Sequence, residues 1–103
     1  MISYKVDFAR IPWAAGIPGI RYKAFSHGSS RLRLVEYTEE MEPHWCHKGH
    51  IGCILEGRFE IGFSSETLEY GPGDGVFIPP GSEHRHKARV IAGPVRALFV
   101  EES

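Results

Sequence analysis

The 103-residue sequence predicts a single all-β domain, a sandwich or barrel of short antiparallel strands. Three observations predict it. Glycine (12) and proline (7) are so frequent that hardly any stretch of about 12 residues avoids both, so long helices have nowhere to sit. Apolar and polar residues alternate with period two in several segments, the pattern of a half-buried strand. Turn signals recur at spacings of about 8–12 residues, and no repeat, low-complexity tract or linker divides the chain.

The elements follow in order. Tyr4 to Phe8 reads as a short extended stretch. Residues Ile11 to Gly19 are too broken by Pro and Gly for regular structure, so residues 1–19 form an arm whose Trp13 caps the barrel end or a neighbouring subunit. The barrel occupies residues 20–101, with Ile20–Phe25 and Arg31–Tyr37 alternating on either side of the turn His27–Ser30. In the second of these, Leu32, Leu34 and Glu36 share a face. A hairpin is expected at Glu56-Gly57, joining Ile51–Leu55 to Arg58–Phe63. Glu66–Tyr70 is a further strand, Gly71-Pro-Gly-Asp-Gly75 a strong turn, and Val76–Ile78 a strand ended by Pro79-Pro-Gly81. His84–Val90 and Val95–Glu101 close the chain as two strands separated by Ala92-Gly-Pro94.

A net charge of -1 leaves no basic surplus for phosphates or anionic headgroups, so neither a nucleic acid nor a membrane is an expected partner. No apolar run approaches bilayer length, and Lys5, Asp7 and Arg10 interrupt any signal-peptide core. With two cysteines, Cys46 and Cys53, the chain does not read as a disulfide scaffold, and a reducing cytoplasm is expected.

Five of the six histidines fall in two clusters: His44, His47 and His50, then His84 and His86. A metal needs several such donors converging from separate strands. On an extended strand His44, Cys46 and His50 share one face while Trp45 and His47 point away. A bulge at Lys48-Gly49 would change that parity and admit His47. His84 and His86 also share a face, and either completes a site. Phe59, Phe63, Phe77, Phe99 and Trp45 alternate with polar residues and are expected mostly in the core. Asp74 is expected to support its turn, and Cys53 to be a small buried hydrophobe. Arg31, Arg33 and Arg58 could bind a ligand carboxylate or lie on a solvated face. No residue is singled out as catalytic.

Two stretches, residues 42–57 and 73–84, resemble the paired signature motifs of the cupin superfamily. His44 matches the first motif's opening His, Cys46 falls on its second His, His50 on its Glu, and Gly57 on its closing Gly. Gly73, Pro79, Gly81 and His84 match the second motif, whereas Ala88 replaces its Asn and Thr38 stands where the first motif opens with Gly. The resemblance implies a cupin-type double-stranded β-helix, a jelly-roll barrel of two antiparallel sheets, comprising residues 1–103 as one small cupin domain. It implies a divalent metal held by His44, Cys46, His50 and His84. Imidazole in place of carboxylate removes a negative charge, and a thiolate softens the site, so zinc, iron or nickel is expected. Two functions follow: a small metal-dependent enzyme, an oxygenase or isomerase acting on an organic molecule in the barrel, or a non-catalytic sensing module. A homodimer built on the arm around Trp13 is expected under either.

Overall fold

Seven strands form an antiparallel sheet: β1 (Ala14–Ala15), β2 (Ile20–His27), β3 (Ser30–Tyr37), β4 (His50–Gly62), β5 (Thr67–Tyr70), β6 (Gly75–Ile78) and β7 (Lys87–Glu102). Their order is β1-β2-β3-β7-β4-β5, with β6 also paired to β4. The structure, a computed structural model, describes residues 3–102; Met1, Ile2 and Ser103, the ends of the expected domain, lie outside the described residues. Among the described residues, no helix is long and apolar enough to cross a membrane.

The long strands β4 and β7 organise the barrel. Near its C-terminal end β7 is flanked by β3 and β4, with Val35 opposite Ala97 and Cys53 opposite Leu98. Its N-terminal half pairs with the second half of β4, Phe59 facing Val90 and Ile61 facing Ala88. Register shifts interrupt the β4–β7 ladder between Ile54 and Phe59. Such bulges bend a strand and sharpen its twist, so each long strand passes from one half of the barrel to the other. Between the halves lies one core, in which Val35, Ile54, Phe59, Val95, Ala97 and Phe99 are almost completely buried.

Several expectations are corrected. Glu56-Gly57 is the bulge and not a hairpin turn. Gly57 has φ 77, and a Cβ there would collide with the Pro94 carbonyl of β7. Ala92-Gly-Pro94 likewise does not divide β7, because this stretch lies opposite the β4 bulge, where ladder bonds are already interrupted. Tyr4–Phe8 is not a strand: the Asp7 carboxylate accepts a bond from the Ala9 amide (3.2 Å) and starts a 3-10 turn at Phe8–Arg10. Phe77 and Trp45 are exposed, not core, because their side chains fall on the outward parity. The turn at residues 71–75 is as expected, with the Asp74 carboxylate accepting from the Gly71 amide (2.7 Å).

The arm is more regular than its composition implies. Ala14 and Ala15 pair with Tyr22 and Arg21, laying Trp13 on the outer face of the sheet. There the indole receives the Arg21 guanidinium at 4.1 Å and the Lys23 ammonium at 4.7 Å. Beside them Glu36 is buried yet fully paired, accepting from Arg21 (2.7 Å) and Arg96 (2.9 Å). These arginines hold its carboxyl below the ordinary range, Arg21 most strongly, against the opposing effect of burial.

Candidate metal centre

β4 opens with His50, and strand parity turns His50, Gly52 and Ile54 toward the barrel interior. His86 immediately precedes β7, on the same inward parity as Ala88 and Val90. Cys46 belongs to no long strand, but a two-bond bridge fixes it: its amide donates to the His86 carbonyl (2.8 Å) and the His86 amide donates back (3.0 Å). These three residues therefore come from separate segments and converge. One ligand atom from each of Cys46, His50 and His86 lies within 4.8 Å of the others.

The imidazoles suit coordination. Their ring centroids are 5.2 Å apart in an edge-on arrangement, and Phe99 stacks on His50 at 4.8 Å. His86 Nδ1 lies 3.1 Å from the His84 carbonyl, which can only accept, so Nδ1 carries the proton and Nε2 keeps its lone pair. That Nε2 atom and His50 Nδ1 are both buried without a hydrogen-bond partner. Buried polar atoms are ordinarily satisfied, and two histidines with orphaned nitrogens grouped with one thiol fit a cation. Burial, followed by the charges of His86 and Arg33, pushes His50 down to about 4, so at neutral pH it is the uncharged base that a metal requires.

The group opens on a cavity of about 340 Å³ lined also by Tyr22, Arg33, Tyr37, Met41 and His44. Arg33 donates to Glu101 (2.7 Å) while its Nε is buried and unpaired. Burial raises the Tyr37 phenol well above its usual value, so it stays protonated.

The expected ligands are thus only partly brought together. Cys46 and His50 stand in the group. His44 lies on the cavity wall but outside it, exposed, with Nδ1 3.3 Å from the Glu42 carbonyl. His84 is also outside, its Nε2 3.8 Å from Glu83. A 3-10 turn at Ser82–His84 takes His84 off the strand geometry before β7 begins, and the inward position passes to His86. The sequence signal for His86 was its shared parity with Ala88 and Val90. His47 is exposed, and its carbonyl accepts from the Gly81 amide (3.0 Å).

With this geometry in place, comparison with known proteins identifies the class. Residues 31–101 match the family described as the cupin domain, and the chain belongs to that family. Solved structures share the fold. A polyketide cyclase from Streptomyces resistomycificus, RemF, superimposes with a TM-score of 0.77 at 22% identity, covering 98% of this chain and 80% of that one. An RmlC-like cupin from Shewanella frigidimarina gives 0.75 at 14% identity, covering 98% and 91%. KdgF from Halomonas sp. gives 0.74 at 21% identity, covering 91% and 89%. No curated protein matches the chain.

Proposed function

We propose that this cupin barrel binds a divalent metal ion through Cys46, His50 and His86 and presents it to a small organic molecule in the adjoining cavity. One observation carries the reading: a thiol and two imidazoles from separate segments bring one ligand atom each within 4.8 Å of one another. A thiolate with two imidazoles favours zinc, iron or nickel over magnesium or calcium. Once bound, such an ion supplies Lewis acidity toward a ligand oxygen. The chain's own part is to orient His86 through the His84 carbonyl, keep His50 neutral by burial, and wall off water with Phe99 and Phe63. Elemental analysis of the untagged protein tests the reading. Near-stoichiometric metal that disappears in His86→Ala supports it, and wild-type protein that takes up none of zinc, iron or nickel overturns it.

Metal-dependent catalysis of the oxygenase or isomerase kind is one use of this site, and the similar fold of a polyketide cyclase supports it. A non-catalytic sensing module is the second reading. It rests on a cavity wall that, among the described residues, carries no Asp or Glu and leaves the exposed His44 as its one imidazole outside the ligand group. Turnover of a small substrate by the metal-loaded protein decides between them.

The homodimer, too, is a proposal, on a different surface from the arm. Register places Phe77, Ile51, Val100, Leu32 and Phe25 side by side across five strands on the outward face, and the first three are about half exposed or more. The arm, already packed on its own sheet, leaves this row uncovered. A second copy can offer the same row in an isologous contact. Both cysteines are free, which supports a reducing compartment such as the cytoplasm.

A further inference from the structure

The cavity's polar groups also define what enters it. Its lining carries the cations Arg33 and Lys48 and, among the described residues, no carboxylate. Arg33 is held in place from two sides. Its Nη2 donates to Glu101 (2.7 Å), and its guanidinium lies over the Tyr22 ring at 5.5 Å. Glu101 does not neutralise the arginines around it, because Arg31 reaches the same carboxylate at 3.0 Å, so one negative charge faces two positive ones. Arg33 and Lys48 both line the cavity, so the positive surplus borders it, while the Arg33 Nε–H is buried and lacks an acceptor. Lys48, on the same wall, has no ion-pair partner among the described residues. A guanidinium fixed by one carboxylate on an otherwise acid-free wall is arranged to receive a second planar anion.

We propose that the cavity ligand is a small organic acid whose carboxylate is received by Arg33, with Lys48 adding charge at the rim. The inference deepens the metal-site reading and concerns the same cavity, but the arginine contact does not depend on the metal. Charge explains the specificity: a neutral amide offers a weaker acceptor and no compensating charge, so it does not replace the acid.

The test is calorimetric titration of chelator-treated, metal-free protein with malonate, malonamide and inorganic phosphate at constant ionic strength. Malonate binds at least about tenfold more tightly than malonamide, and Arg33→Gln removes at least about tenfold of that affinity. Lys48→Gln, an exposed change, lowers it by about threefold. Glu101 retains Arg31 in the Arg33→Gln protein, and circular dichroism with a thermal melt verifies that it folds. Equal binding of malonate and malonamide overturns the proposal, as does tighter binding of phosphate than of malonate, or malonate affinity unchanged in folded Arg33→Gln. Metal content is measured separately on the same proteins. Metal uptake without carboxylate preference sinks this inference alone, and Arg33-dependent malonate binding without metal uptake sinks the metal reading alone.

Discussion

Two buried polar clusters occupy opposite faces of β3, and they are built differently. Outside, Glu36 is closed by Arg21 and Arg96 beneath the Trp13 arm, so its charge is compensated within the chain. Inside, His50 Nδ1, His86 Nε2 and Arg33 Nε are buried and have no partner. All three inner residues line one cavity. An uncompensated buried polar atom is costly, and a fold retains such atoms together where something else completes them. The outer cluster is therefore satisfied within the chain, and the inner one is where the proposed metal and ligand would be completed.

That contrast makes separable predictions. The largest effect is on metal retention: His50→Ala or His86→Ala lowers bound metal from near one equivalent to below about a tenth, read by elemental analysis. The same changes remove an unpaired nitrogen but also a packed ring and, at His86, the bond to the His84 carbonyl, so the metal-free protein loses about 2 kcal/mol. Unfolding in urea measures this, and a much larger loss would mean that the inner cluster is structural after all.

Glu36→Ala reverses the pattern. Both arginines are partly exposed and Arg96 keeps Glu56, so the loss is about 1–2 kcal/mol in urea unfolding, while metal content per folded molecule stays constant. The pH dependence has a definite sign. Because Glu36 is held below its unfolded value of 4.5, its stabilisation is present above that pH and is lost as pH falls through the lower folded value. Thermal melts from pH 6 to 3 should therefore steepen at the acid end, and Glu36→Gln should flatten that slope.

Smaller effects sharpen the boundaries of the two clusters. Phe77→Asp shifts the mass seen by light scattering from dimer to monomer if the outward apolar row pairs two copies, with folding stability almost unchanged because the ring is 74% exposed. His84→Ala and His44→Ala, outside the inner group, alter metal affinity by less than about threefold. A loss as large as that of His86→Ala would move the site to the rim.

How far the sequence led depended on which signal was local. Alternation and turn residues located β2, β3, β5 and β6, since period two and glycine-rich turns act within a few residues. They misread Glu56-Gly57 as a hairpin turn and Ala92-Gly-Pro94 as a break between two strands. A glycine in a bulge and a glycine in a turn look alike until the partner strand is known. The site was legible in part. His50 follows from parity on a regular strand, and Cys46 shares its face. The choice of His86 over His84 required knowing that Ser82–His84 forms a 3-10 turn and that Cys46 bridges His86.

By itself, then, the amino-acid pattern determined an all-β cupin-family chain with candidate metal ligands near the start of the central strand, because hydrophobic period and turn chemistry are properties of neighbouring residues. Only the tertiary structure decided which histidine joins Cys46 and His50, and that Arg33 lines the inner cavity while Glu36 is paired on the outer face. Those outcomes depend on strands far apart in sequence, and one residue's change of parity moves a side chain from the interior of the barrel to its exterior.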